Sequence, residues 1–460
     1  MTMLNQKTSE ELTPIFDEYY PGGHSNFRCK LDAGGTKLFM KAAKGAHVWD
    51  VDDNMYIEYN GAMGPLMLGH GYPKLIDEMT DYIHKEATIY GTNLLYRPDD
   101  IELAKLLCDY IPCAEAVKIC VTGTEAVQMA FRLARAYTGK NRVLKFGDMY
   151  HGWLDNVLYN AADPNVDIDS GELPLPIETP KDSWTYTTGK APWTREESFV
   201  IPYNDLDMLE KTIEKYHDEI AICHVEAMCS DDYCLHPQPG YLERLRELCT
   251  QYNIVLSFDE VITGFRLGLG GAQEYFGVIP DICTLGKALT AGFAPMSAVV
   301  GKKEIFDTFH KKAVIGAGTF NGYGLGVKAA VTALKIYKEN DGAIYKQIDQ
   351  IKERLIEGFL ASAEKYHVPL TICDAPAMFY TVFGVGLGRI KLTDRHAIDG
   401  MDNEFYERFR YHLMEEGVVV MILARWFIGG GHTMEDAEKT IVAFDNAMAK
   451  TVAEFPERYK

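Results

Sequence analysis

Two short apolar runs constrain this chain more than anything else in it. Residues 254–258 (IVLSF) and 281–285 (DICTL) are too brief for helices, and each gives way at once to reactive chemistry. Asp259-Glu260 follows the first and Gly286-Lys287 the second. Runs of this kind read as strands buried on both faces, which occur in parallel sheets covered by helices. Ligands of such sheets bind beyond the carboxyl ends of the strands. A carboxylate and an amine delivered there by two strands are therefore candidates for one site. Residues 116–121, 142–146 and 219–226 repeat the pattern with helical stretches between them, so the fold class is α/β.

Other strand ends carry permissive or polar residues too. Val121 leads into Thr122-Gly123-Thr124-Glu125-Ala126 and a strongly helical run, AVQMAFRLARAYTG. Hydroxyls and unpaired N–H groups at a helix start favour an anion such as phosphate. Phe146 leads into GDMYHGW, which holds Tyr150 and His151, and the run ending at Glu226 delivers another carboxylate. Glycines at 286, 292 and 301 let backbone pass close to something bound. The Gly384-Val385-Gly386-Leu387-Gly388 segment mimics a dinucleotide motif, but it follows no βαβ pattern and opens no clear helix, which argues against a nicotinamide oxidoreductase.

Taken in order, these segments resemble the class III (ω-type) aminotransferases, and among them the glutamate-1-semialdehyde aminomutase-like members. DEVITGFR, GGAQEYFGVIPDICTLGK and the glycine-rich segment ending in VVG match the family's cofactor-lysine region, and the likeness runs from about Pro21 to His432. The resemblance implies a fold-type-I pyridoxal 5'-phosphate transferase. Its large domain would hold a mainly parallel, seven-stranded type of sheet flanked by helices, and a small α+β domain would be assembled from both termini, with boundaries expected at 1–72, 73–324 and 325–460. Two residues acquire catalytic roles. Lys287 would form the Schiff base and act as general base, and Asp259 would keep the cofactor's ring nitrogen protonated. The implied cofactor contacts are Thr122, Gly123 and Thr124 at the phosphate, Tyr150 stacked on the ring, and His151, Glu226, Asp259, Val261 and Lys287 around it. Thr319, in GAGTFNG, would reach the phosphate bound by the neighbouring subunit, which implies a homodimer with shared sites. Arg28, Met63 and Arg425 are the substrate-side candidates. Glu226-Ala227 stands where the family has Glu-Pro, Tyr323-Gly324 where it has Asn-Pro, and Met63 where close relatives have Trp.

The implied reaction is a ping-pong transfer of an amino group from an amino acid or amine donor to a keto or aldehyde acceptor. A 2,1-aminomutase or a racemase on the same scaffold begins with the same proton loss. A homologue that only binds cofactor is a further alternative, and the retained lysine and acids count against it. In the family's aminomutases a Glu before the terminal His-Thr helps gate the site. The matching place here falls at or beside Ala424, with Arg425 next to it and no acid nearby. Net transfer between two separate small molecules is therefore expected.

Composition narrows the partners. A formal net charge of −20 leaves no basic footprint for nucleic acid or an anionic membrane surface. No apolar run reaches transmembrane length, and MTMLNQKTSEELTPIF lacks the core of a signal peptide, so a cytoplasmic enzyme is expected. The ten cysteines are scattered, which suits reduced thiols. Cys223, Cys229 and Cys234, with His224 and His236, match no zinc spacing, so no metal is expected. Residues 45–73 alternate like a hairpin turning at Asp52-Asp53-Asn54. Residues 160–197 form a Pro-, Asp-, Thr- and Ser-rich excursion whose Trp184, Tyr186 and Trp193 suit a lid or a dimer contact. Helices are expected at 325–339, 342–366, 403–416 and 433–449, with a strand at 378–383.

Overall fold

The computed structural model describes residues 5–21, 23, 32–33, 36–85, 96–181, 183, 185–311, 314–421 and 424–459. They fall into two units, Asp77–Glu339 and a second made of Met1–Ile76 with Asn340–Lys460.

The Asp77–Glu339 unit is built on seven strands: β1 (Ala116–Cys120), β2 (Arg142–Phe146), β3 (Ser198–Ile201), β4 (Ile220–Val225), β5 (Val255–Glu260), β6 (Ile282–Leu285) and β7 (Ser297–Gly301). They form one sheet in the order β1-β7-β6-β5-β4-β2-β3. Only β7 runs antiparallel to its neighbours. The short link 286–296 between β6 and β7 explains the reversal, because a parallel return needs a longer crossover.

Helix α1 (Gly123–Thr138) covers one face of this sheet. Thr122 caps its start by accepting the Glu125 N–H, and Gly139 ends it in the left-handed region at φ 73°. Its apolar side, with Val127, Ala130, Phe131 and Ala134, packs on Val143, Ile222, Val255, Ile282 and Val299, one residue from each of five strands. Each fully buried side chain of this size contributes about 1.5–3 kcal/mol. Because side chains alternate along a strand, His224 shares the face of Ile222, Ser257 and Asp259 that of Val255, and Thr284 that of Ile282. The covered face thus changes from apolar to polar toward the carboxyl ends of β4, β5 and β6.

Described residues of the 160–197 excursion meet the outer edge of β3. Pro174 C=O accepts the Val200 N–H at 2.8 Å, Arg195 donates to Pro176 C=O at 2.6 Å, and Ala161 bridges Ile177.

The second unit holds two four-stranded sheets. The hairpin read from the sequence is present: His47–Asp50 pairs antiparallel with Met55–Glu58, and Asp53 takes φ 70° in the turn. The other sheet contains Leu370–Ala375, Met378–Phe383 and Arg425–Phe427, beside the helices Asn403–Glu415 and Met434–Glu454. The two helices expected at 325–339 and 342–366 form one continuous element, Gly324–Lys365. Positive φ values at Asn340, Asp341 and Gly342 mark the place where the sequence suggested a break. Among the described residues no helix is long and apolar enough to cross a membrane.

Candidate active site

Strand register decides which side chains meet. In the pairing of β5 with β4, Ser257 lies beside His224 and Phe258 beside Val225. In the pairing with β6, Asp259 lies beside Thr284 and Glu260 beside Leu285. The three strands finish side by side and deliver Glu226, Asp259 and Gly286-Lys287 from one end of the sheet.

Asp259 is 4% exposed. Its Oδ1 accepts the Val261 N–H and the Thr284 hydroxyl, both at 3.1 Å, and its Oδ2 lies 2.8 Å from His151 Nδ1 and 3.4 Å from His224 Nε2. Burial alone would raise its pKa, but the hydrogen bond from His151 and the nearby His224 imidazole outweigh that and hold the carboxyl below its ordinary value. The acid stays ionised. Burial, reinforced by the adjacent His224 ring, depresses His151 to about 4, so its imidazole is neutral near pH 7. Nδ1 then carries the hydrogen given to Asp259, and Nε2 is buried with no hydrogen-bond partner among the described residues.

Glu226 behaves in the opposite way. Burial, then the charges of Asp231 and Asp259, push its pKa well above the carboxylate range. The Ser230 hydroxyl and N–H both donate to Oε2, while Oε1 is buried without a partner among the described residues. A carboxyl raised above its ordinary range and one held below it thus sit at neighbouring strand ends, the kind of split that separates acid and base roles. Glu260 points to the other face of β5. It accepts the Ala272 N–H at 2.6 Å and Gln273 Nε2 at 2.8 Å, anchoring the helix Gly271–Phe276, and burial lifts it to about 7.

Glycines bring the remaining pieces close. A Cβ on Gly123 or on Gly286 would lie 3.3 Å from Val261, so the start of α1, Val261 and the Gly286-Lys287 link are packed together. Gly152, at φ 95°, lies so near Thr124 that a Cβ there would come 2.5 Å from its Oγ1. Ser297 donates to Thr122 C=O at 2.6 Å, and the Glu125 carboxylate accepts the Val121 N–H at 2.8 Å. Lys287 has φ 43°, a left-handed value that costs a residue with a side chain on the order of 1–3 kcal/mol. The strain is held by the turn Lys287–Thr290, in which Leu289 N–H donates to Gly286 C=O at 2.8 Å and Tyr337 hydroxyl to Ala288 C=O at 2.7 Å. Half-buried Tyr150 precedes His151, and burial with the Asp231 charge pushes its phenol to about 12.

Thr319 is exposed, on a loop tethered where Arg97 donates to Gly322 C=O at 2.5 Å. Met63 and Arg425 belong to the other unit. Met63 lies in the turn Gly61-Ala62-Met63-Gly64, where all four φ values are positive, and Gly61 and Gly64 rest on Phe427. Arg425 is 2% exposed, with its guanidinium 4.9 Å from the Phe427 ring centre and 5.7 Å from that of Tyr380. Arg28 and Trp184 lie outside the described residues. Three contacts of Asp259's surroundings were not among the sequence candidates: His224, Ser257 and Thr284. Their signal was a polar residue inside an otherwise apolar buried run.

These residues fit pyridoxal phosphate. An ionised carboxylate suits a protonated ring nitrogen, the glycine-lined start of α1 suits a phosphate, and the orphaned His151 Nε2 and Glu226 Oε1 are polar atoms that a polar ring substituent can satisfy. Comparison with known proteins agrees. The model of the family described as aminotransferase class-III matches residues 31–385. Glutamate-1-semialdehyde 2,1-aminomutase 2 of Brevibacillus brevis is 34% identical, over 97% of this chain and 99% of that one. The glutamate-1-semialdehyde 2,1-aminomutase of Natranaerobius thermophilus is 35% identical, over 94% and 95%. Among solved structures, an omega-transaminase from Sphaerobacter thermophilus superposes with a TM-score of 0.84 at 25% identity, covering 96% of this chain and 97% of that one. The chain belongs to the class III aminotransferase family and is a pyridoxal-phosphate-dependent enzyme.

Proposed function

We propose that the enzyme moves an amino group between two separate small molecules, a donor amine or amino acid and a keto or aldehyde acceptor, in two half-reactions. The observation that carries this reading is the ionised Asp259, held by three hydrogen bonds at the end of a strand whose neighbour leads into Gly286-Lys287. Pyridoxal phosphate, when bound, supplies the electron sink that makes a proton beside a nitrogen removable. Asp259 holds the positive charge of the ring nitrogen in place. Lys287 supplies the amine that attaches the cofactor and, when released, a base that carries the substrate proton at Nζ. The N–H groups of Gly123 and Thr124, with the hydroxyls of Thr122 and Thr124, take the phosphate. Arg28 and Arg425 are the guanidinium groups we assign to an anionic substrate group. A homodimer with shared sites is part of the reading, supported by a loop on which Thr319 is exposed beside Ile315 (75% exposed) and Phe320 (58%).

The second reading is a 2,1-aminomutase, favoured by the names of the two sequence relatives. Net transfer is supported by the segment 418–432, which contains Arg425 and no acidic residue. The purified enzyme should be offered glutamate-1-semialdehyde alone, and then amino acid and keto acid pairs. We expect turnover only with pairs. Efficient formation of 5-aminolevulinate without a co-substrate would establish the aminomutase instead.

A further inference from the structure

Asp259 is approached by two imidazoles, His151 and His224. His224 is the penultimate residue of a strand that is otherwise apolar and is wholly buried, with its ring edge-on to Phe131 at 5.2 Å and 4.4 Å from the ring of His151. Its Nδ1 lies 2.9 Å from Ser257 Oγ, its neighbour in register, and its Nε2 lies 3.4 Å from Asp259 Oδ2. Two tautomers are available. With the hydrogen on Nδ1, the ring would donate to Ser257 and turn an Nε2 lone pair toward a buried carboxylate, which is repulsive at low dielectric. With Ser257 donating into Nδ1, the Nε2–H faces Asp259 and the contact becomes attractive. The Asp259 carboxylate therefore selects the tautomer, and the Ser257 hydroxyl, able to donate as well as accept, satisfies Nδ1 in it.

The count of acceptor directions gives this arm its purpose. A carboxylate offers about four. Val261 N–H and Thr284 use two on Oδ1, and His151 uses one on Oδ2. His224 at 3.4 Å is too distant to fill the last one as a full hydrogen bond, yet close enough to orient it. We propose that Ser257 and His224 form a second arm against Asp259, hydrogen-bonded to each other and facing the carboxylate at 3.4 Å, with His224 a positioning residue that aims the last acceptor direction of Oδ2 at the cofactor's ring nitrogen. This rests on the pyridoxal-phosphate reading of the site.

A divalent cation is the rival occupant, because ligand atoms of His151, His224 and Asp259 lie within 4.8 Å of one another. The test titrates cofactor-free wild type, H224L, H224Q and S257A with pyridoxal phosphate, following affinity and the absorbance spectrum of the bound cofactor. H224L should weaken binding about tenfold and shift the spectrum, since it removes one charge-assisted contact. S257A should do the same by about threefold, by leaving the buried Nδ1 without the partner that holds the ring. H224Q, which keeps an N–H within reach, should recover most of the affinity and the spectrum. Wild-type affinity and spectrum in both H224L and S257A would overturn the positioning role, and if H224L does not fold, S257A decides alone. A stoichiometric transition metal in the purified protein, removed by chelator with a rise in cofactor affinity, would also overturn it. Wild type that takes up no pyridoxal phosphate would instead sink the reading beneath it.

Discussion

The aromatic cluster inside the second unit and the strand ends of the Asp77–Glu339 unit are both closed to solvent, yet they are made of opposite materials. In the first, Phe359 stacks on Phe444 at 3.9 Å and 12°, Phe379 stacks on Trp426 at 5.8 Å and 11°, and Phe409 meets Phe444 edge-on at 4.7 Å. The single polar demand of that cluster, the Trp426 indole N–H, is met by Thr381 Oγ1 at 3.2 Å. The strand ends bury His151, His224, Glu226, Ser257, Asp259, Glu260 and Thr284 together. Aromatic packing adds about 0.5–1.5 kcal/mol per pair beyond area burial, whereas each buried polar group must recover its lost hydration through partners. One interior is arranged for stability. The other gives stability up in exchange for fixed charges and aimed protons.

That contrast can be broken at three points, in falling order of effect. Lys287→Ala should cost several decades in turnover, as expected when a covalent catalyst and base is lost, while pyridoxal phosphate still binds; steady-state rates and cofactor absorbance check both halves. Near-normal turnover would remove Lys287 from the chemistry. Phe444→Ala should do the reverse, lowering unfolding free energy in a denaturant titration by about 3–5 kcal/mol and leaving the cofactor spectrum alone. The smallest effect sharpens the electrostatic side. Lys145, wholly buried on β2 with its Nζ 2.7 Å from Asn160 Oδ1, is lowered by burial, and further by Lys190, from 10.5 to about 7. Between these values the unfolded chain binds the proton that the folded chain has released, so stability rises with pH across that window. Wild type should therefore gain melting temperature relative to Lys145→Met as pH climbs from about 7 toward 10, and parallel curves would refute the shift.

The chemistry that lies contiguous in the chain was legible in the sequence, and the chemistry made by register was not. Asp259 with Val261, Thr122 to Thr124, and Gly286-Lys287 each sit in one continuous stretch, so a strand followed by glycine or hydroxyl residues announces them. His224 and Ser257 stand 33 residues apart, and Asp259 and Thr284 stand 25 apart. Only the pairing of β4, β5 and β6 joins them, and no local pattern states which residue of one strand lies beside which of the next. The seven-stranded sheet was expected, but the reversal of β7 depends on the length of a link whose path the sequence does not show. Helix 324–365 was read as two because Asn340-Asp341-Gly342 has the chemistry of a turn, and the backbone does take left-handed values there without ending the element.

The excursion at 160–197 has a consequence for anyone who would shorten it. Its described residues meet the outer edge of β3, and every residue of that strand, Ser198-Phe199-Val200-Ile201, is buried. An uncovered apolar edge strand is a template for pairing with another chain, and natural sheets protect such edges with loops, charges or proline. Trimming this segment would bare a short, proline-free, uncharged stretch of high β-propensity, the kind that seeds aggregates. The loss would appear as insoluble protein in the expressing cell rather than as altered chemistry at the strand ends.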